Sequence, residues 1–347
     1  MKRLRVLGSV LGCAFALTAC GGESGSGGSG AEGGAGAQGG SGAQGGAGAQ
    51  GGAAGSGGSG AQGGTGAQGG TAGSGGSGGG WTVGEWVELV TGDWRLDPGE
   101  ESYTCALVTL KEDIAIAGFR AISPFGTHHT VLSVEASTSQ PDGVFPCSVA
   151  SNGPQMIYGS GVGTQPLAFP EGVAINLKQG QRLLLNLHLF NVTPNALTGL
   201  SGIEVQQVDP SLVEHEAEML LAGKEFDLFV DTGETTQQGG CTMRGDVTIF
   251  AVSPHMHQLG THMRAYVDLP EGRRVLVDAP YSFDDQVFHP QEPQVAVPNG
   301  TRVEVECTYY NDRGSPVFFG ESSLDEMCYA GIYRYPKLGT GSITCSR

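Results

Sequence analysis

Residues 21 to 80 can bury almost nothing, which confines any fold to the residues beyond them. This stretch holds 32 of the chain's 61 glycines, with Ser, Ala, Gln and Thr supplying most of the rest and only Glu23 and Glu32 charged. The motif Gly-Ala-Gln-Gly-Gly recurs at residues 36–40, 42–46 and 48–52. Ordering such a run costs backbone entropy that no packing returns. It also lacks the strict Gly-X-Y period of a collagen-type structure. The reading is a flexible Gly/Ser/Ala/Gln-rich tether, and a random coil of about 60 residues has an r.m.s. span of about 40 to 45 Å. Residues 81 to 347 are then long enough for one large or two mid-sized domains with real cores.

The segment before the tether reads as a processing signal. Lys2, Arg3 and Arg5 give a basic start, an apolar run extends from Val6 to Leu17, and then comes Leu17-Thr18-Ala19-Cys20. Small residues before a Cys that is trailed by Gly21-Gly22 resemble a bacterial lipobox, so residues 1–20 are expected to be a signal peptide with Cys20 lipidated. The expectation is an exported bacterial lipoprotein, membrane-anchored at the outer membrane, the cell surface or in the periplasm. No other apolar run reaches the roughly 18 residues needed to span a membrane.

Charge narrows the partners. Setting aside Lys2, Arg3, Arg5, Glu23 and Glu32, the chain's 18 basic and 35 acidic residues become 15 and 33, a formal −18 for residues 81 to 347. A body so acidic repels polyanions, which argues against nucleic acid and against docking on anionic lipid. A small molecule or a metal ion is the better partner.

From Trp81 the texture changes to short alternating or apolar runs broken by Gly, Pro, Asn and Asp. Candidate strands are 105–110, 130–135, 182–190, 203–208, 246–252, 263–269, 273–277, 302–310 and 330–335. Many short strands at spacings near ten residues predict an all-β chain of two tandem antiparallel β-sandwich, jelly-roll-like domains. The cluster of Asn, Pro and Gly from Thr193 to Leu200 places the join there, giving domains 81–199 and 200–347. Of eight cysteines, Cys13 leaves with the signal and Cys20 takes lipid. Cys105, Cys147, Cys241, Cys307, Cys328 and Cys345 remain as an even set without C-x-x-C spacing, which suits structural disulfides in an oxidising compartment. Six cysteines allow 15 pairings.

The histidines carry the candidate chemistry. Five of the eight fall in three settings: His128-His129, His188 within Leu183-Leu-Leu-Asn-Leu-His-Leu-Phe190, and His255-Met256-His257. A strand puts residues i and i+2 on one face, so His255 and His257 can present two imidazoles to one metal. Adjacent His128 and His129 point to opposite faces of a regular strand and can share a metal only where the backbone bulges. Imidazole suits Cu, Zn, Fe and Ni, and an added thioether selects copper. Met327 is the candidate thioether.

The segments Phe125-Gly-Thr-His-His-Thr130, Leu185-Asn-Leu-His188, Pro254-His-Met-His-Gln-Leu-Gly260 and Asp325-Glu-Met-Cys328 resemble, in order and spacing, the copper type II ascorbate-dependent monooxygenases. Peptidylglycine α-hydroxylating monooxygenase and dopamine β-monooxygenase belong to that family. The resemblance implies two copper ions, one per β-domain, facing each other across a cleft. His128, His129 and His188 would form the electron-transfer site, and His255, His257 and Met327 the catalytic, oxygen-activating site. It further implies the disulfides Cys105–Cys147, Cys241–Cys345 and Cys307–Cys328. His215, His262 and His289 match no ligand position.

The implied activity is hydroxylation of a C–H bond of a small organic substrate, with O2 and ascorbate or a similar reductant. The alternative is a non-catalytic copper-binding lipoprotein. Departures bear on the substrate: the peptide-amidating members carry an Arg where Ser253 stands, and an Asn and a Tyr where Tyr329 and Gly331 stand. Without that bidentate cation a C-terminal carboxylate has no partner, and peptide amidation is not expected. Tyr103 matches the family's Tyr-x-Cys and, with Ser253 and Tyr329, is placed in the substrate cleft, while Asn186 replaces a Gln near the third imidazole.

Overall fold

Alternation makes the strands. In the strand Arg302–Asn311, Val303, Val305, Cys307 and Tyr309 are fully buried while Glu304, Glu306 and Thr308 are less so, the period of two that a pleated strand imposes. The strand Arg182–Phe190 instead buries everything from Leu183 to Leu189. Its place explains this: strand pairing covers both its edges within a five-stranded sheet, one face packs Leu183, Leu185, Leu187 and Leu189 into the core, and the other carries Leu184 against Cys105 and Leu107.

The computed structural model describes residues 81–135 and 139–339, together with the backbone of 344–345. Cys20 and the expected signal peptide and tether over residues 1–80 lie outside these residues, as does the side chain of Cys345. The described chain is nearly all β, with one short 3-10 turn at Pro210–Leu212 and no α-helix. No helix among the described residues is long and apolar enough to cross a membrane.

The first half builds two sheets. One runs in the order Trp86–Leu96, Leu197–Val208, Ile114–Ile122 and Val173–Leu177; the other runs Gly143–Pro146, Glu101–Thr109, Arg182–Phe190, Thr127–Glu135 and Gln155–Gly161. The second half adds a four-stranded sheet, Gly233–Thr242, Arg302–Asn311, Gly260–Leu269 and Gly272–Pro280, and a sheet containing His289–Val297, Val247–His255, Cys328–Tyr335 and Glu218–Lys224. These strands pair antiparallel. One core gathers Leu96, Phe119, Leu132, Leu185 and Ile203, and the other Ile249, Val267, Val305, Tyr309 and Ile332. Each such side chain contributes about 1.5 to 3 kcal/mol by leaving water.

The first core does not stop at the end of the first half. Met219, Phe250 and Tyr333, from second-half strands, pack into it. The expected join near Thr193 to Leu200 is also displaced. Strand Leu197–Val208 belongs to the first half, pairing with Trp86–Leu96 and Ile114–Ile122, so the chain passes to the second half only after Val208. The Asn-Pro cluster is instead a turn between two strands of the first half, closed by Asn191, whose side chain accepts from Thr193 and donates to the Asn195 carbonyl. Turn chemistry marks a reversal of the chain, and a domain boundary is only one place where reversals occur.

Candidate metal centre

The first imidazole group depends on a fault in a strand. Register between Thr127–Glu135 and Arg182–Phe190 shifts between Thr127 and His129, leaving His128 as the extra residue. That irregularity is the condition under which two adjacent side chains can turn toward one ligand. His129 then pairs directly with His188 across the strands. The ligating atoms of His128, His129 and His188 lie within 4.8 Å of one another. His128 Nδ1 is 3.1 Å from His129 Nε2, and His188 Nδ1 is 3.1 Å from His129 Nδ1.

Carboxylates hold the outer nitrogens of two rings. His188 Nε2 donates to Glu101 Oε1 at 2.7 Å, and His128 Nε2 lies 3.4 Å from Asp284 Oδ1. With protons drawn outward, the inner Nδ1 atoms of both rings turn their lone pairs inward. Tyr103, opposite His188 in register, stacks on it at 4.6 Å between centroids with planes 5° apart.

The second group forms at a strand end. Strand Val247–His255 terminates at His255, and His257 lies beyond it in a turn, so strand alternation does not align the two rings as expected from their spacing. They stand 5.3 Å apart with planes at 87°. The turn is fixed by Glu326, fully buried, whose carboxylate accepts from the backbone N–H groups of His257, Leu259 and Met327. One carboxylate thereby ties the histidine turn to the methionine. His257 Nδ1 donates to the Asp325 carbonyl at 3.2 Å and His255 Nδ1 to Gln286 Oε1 at 3.2 Å. Each ring is left with its Nε2 lone pair to offer. Met327 is anchored at its carbonyl by Tyr309 Oη and by the neighbouring Cys307–Cys328 disulfide.

All five imidazoles are held neutral. Burial is the leading cause in each, joined at His129 by neighbouring His128 and His255, and it takes His257 down to about 3. Metals bind the neutral ring, so burial removes the competing proton. Burial also lifts the Glu326 carboxyl to about 7 against its three backbone donors, and lifts the Tyr103 hydroxyl to about 12, helped by Glu101 and Glu321. Neutral rings converge here, with the protons of His188, His255 and His257 drawn to outer acceptors, and such a donor set fits a soft or borderline cation such as copper.

The two groups adjoin one another. His129 and His255 ring centroids are 6.0 Å apart, and Phe283 packs against His128, His129 and His257. A cavity of about 400 Å3 is lined by His129, His188, His255, His257 and Met327, and also by Tyr103, Ser253 and Tyr329. His128 sits just behind it, and Asn186 lines it while donating to the Ser148 and Ser151 carbonyls. His215 stacks on Tyr335, His262 faces Asp278, and His289 lies in its own strand, so these three make their contacts elsewhere. Cys105–Cys147 and Cys307–Cys328 are formed. Cys241 is disulfide-bonded, but its expected partner Cys345 has a side chain outside the described residues.

Sequence reasoning alone does not single out Gln286, Phe283, Asp284, Glu101 or Glu326. Glu326 stands inside the Asp325-Glu-Met-Cys328 motif, where its adjacency to Met327 is the available signal. The other four carry none, because loop and strand-end residues meet the histidines only through the fold.

An all-β frame thus brings two imidazole groups and a thioether to one cavity. Residues 219–346 match the family model described as copper type II ascorbate-dependent monooxygenase, C-terminal domain. The chain is similar to putative DBH-like monooxygenase protein 2 of Homo sapiens, 27% identical over 237 residues that cover 60% of this chain and 47% of that protein. It is also similar to DBH-like monooxygenase protein 1 of Gallus gallus, 25% identical over 222 residues that cover 58% of this chain and 35% of that protein. The chain thus spans about half the length, or less, of these relatives. Its second half therefore resembles the C-terminal domain of the copper type II ascorbate-dependent monooxygenases.

Proposed function

We propose that this protein hydroxylates a C–H bond of a small organic substrate, using O2 and ascorbate or a similar one-electron reductant, while a lipid on Cys20 holds it to a membrane. The observation that carries this reading is the convergence of four neutral imidazoles and Met327 on one cavity, with His128 packed behind His129, in a chain whose residues 219–346 match a copper-dependent family. In this reading the halves are two sandwich-like domains and two ions bind. His128, His129 and His188 hold one; His255, His257 and Met327 hold the other. Copper, when bound, supplies one-electron redox chemistry and activation of O2.

The chain's own residues do the rest. Three imidazoles suit an ion that cycles between Cu(I) and Cu(II), whereas the Met327 thioether favours Cu(I). Glu101 and Asp284 orient the first group, and Asp325 and Glu326 the second. The cavity wall is mostly apolar, with Met156, Met219, Leu221 and Phe319 beside the polar groups, which suits a small organic substrate held by shape and a few polar contacts. Ser253, where the peptide-amidating members have Arg, offers a carboxylate no cationic, bidentate partner.

Copper titration of the protein is expected to reach two ions per chain. On adding ascorbate and substrate, O2 consumption should track hydroxylated product. Two ions bound with no such coupling would favour a non-catalytic copper-binding lipoprotein, and zinc preferred at both positions would contradict the reading outright. Cys20→Ser is expected to move the protein from the membrane fraction to the soluble one.

A further inference from the structure

The loop that carries Gln286 belongs to the second half, yet its backbone is fastened to the first. Gln286 N donates to the Val162 carbonyl at 3.1 Å, and Thr164 Oγ1 donates to the Gln286 carbonyl at 2.6 Å. Between these anchors the side chain is buried, at 7% exposure. Its amide faces three groups, one of them of fixed polarity. The Nε2 end lies 3.1 Å from the Phe283 carbonyl, which can only accept, and 3.3 Å from His129 Nε2. The Oε1 end lies 3.2 Å from His255 Nδ1.

The Phe283 carbonyl therefore decides which way the amide points. With NH2 committed to that carbonyl, Oε1 must face His255, and an amide oxygen can only accept. His255 Nδ1 must then carry the proton, and Nε2 the lone pair. We propose that Gln286 is a positioning residue for His255: it selects the Nδ1–H tautomer and aims Nε2, and its own orientation is set by the Phe283 carbonyl, with its NH2 also reaching His129 of the other imidazole group. This inference rests on the reading of His255 as a metal ligand, and it extends that reading to the device that makes the ring competent.

Gly161 supplies an independent observation. It stands opposite His129 in register, and a Cβ added there would come 2.8 Å from Gln286 Cδ and 2.9 Å from Nε2. The strand Gln155–Gly161 thus leaves a space that the amide fills. Ala at 161 would push the amide off His255 while leaving Gln286 itself in the sequence.

The test is histidine 15N spectroscopy on the metal-free protein, with the His255 signals assigned from a His255→Gln variant. In the wild type His255 should show protonated Nδ1 and unprotonated Nε2. Gln286→Leu and Gly161→Ala should lose that pattern to a mixture of tautomers, and Gln286→Glu, which keeps an acceptor, should retain it. A parallel Cu(I) competition titration should give a roughly 10- to 100-fold weaker His255/His257/Met327 site in Gln286→Leu, the usual effect of removing a ligand's outer partner. It should give near wild-type affinity in Gln286→Glu. Circular dichroism and thermal melting of each metal-free variant identify a folding loss. An unchanged His255 tautomer in Gln286→Leu, or Gln286→Glu behaving like Gln286→Leu, would overturn the proposal. If the wild type binds no copper at His255, the functional reading fails, while the tautomer measurement still judges Gln286.

Discussion

Ser253 and Gly331 are cross-strand neighbours, paired in register and both lining the cavity. Two positions at which the chain departs from the peptide-amidating members are therefore one surface. A Cβ at Gly331 would lie 3.4 Å from Ser253 Cβ and 2.8 Å from Met219 Cε, so small residues on both strands leave this wall open.

A glycine-extended peptide is accordingly expected to bind no better than its amide, since nothing on this wall matches a carboxylate. Calorimetry with the two peptides checks this. Gly331→Ala should raise KM for a true substrate while leaving the melting temperature close to wild type, because the nearest obstruction is the flexible end of Met219.

Met327→Ile should weaken Cu(I) binding at one position and leave the His128/His129/His188 position loaded, since the substitution keeps an apolar side chain and removes the thioether. Copper stoichiometry at limiting Cu(I), with and without the substitution, reads this directly. Loss of both ions would show that the two groups do not bind independently.

The Glu326 carboxylate is the acceptor for three backbone donors. Glu326→Ala should destabilise the protein by more than the roughly 1 to 3 kcal/mol that one stranded buried donor costs. Glu326→Gln, which keeps one carbonyl oxygen, should cost less. Urea unfolding of the metal-free variants measures both, and equal, negligible losses would remove Glu326 from the account of the turn.

Reducing the Cys307–Cys328 bridge should cost on the order of 2 to 4 kcal/mol by freeing the unfolded chain, and it should also loosen Met327 beside it. Peptide mapping without reductant should find Cys105 joined to Cys147 and Cys307 to Cys328, as in the structure. Copper affinity that survives reduction unchanged would mean that Met327 is held by Tyr309 and Glu326 without the bridge.

Much of this is legible in the sequence where a residue's period or bonding chemistry speaks for itself. The strand expected over residues 182–190 is the strand observed, because a continuous apolar run at that length has few other uses. The His128-His129 pair demands a bulge, and the register shift is there. Strand Gly233–Thr242 is not legible. Its Gly-rich, polar run Gly-Glu-Thr-Thr-Gln-Gln-Gly-Gly-Cys-Thr resembles a loop, yet it pairs along its whole length with Arg302–Asn311. The glycines serve close approach: a Cβ at Gly239 would lie 2.3 Å from the Gly223 carbonyl oxygen. Gln286 is invisible for a related reason, since its meaning comes from a strand more than a hundred residues earlier.

The most direct measurement is isotope incorporation under a substrate screen. The copper-loaded protein, 18O2 and ascorbate are incubated with candidate small molecules, and products are read by mass spectrometry beside those of His257→Ala and His188→Ala. The account predicts a product that gains one 18O atom with the wild type. It predicts none with His257→Ala, though that variant still oxidises ascorbate at the His128/His129/His188 site, and no sustained turnover with His188→Ala. Full product from either variant, or 18O incorporation that persists without copper, would contradict it.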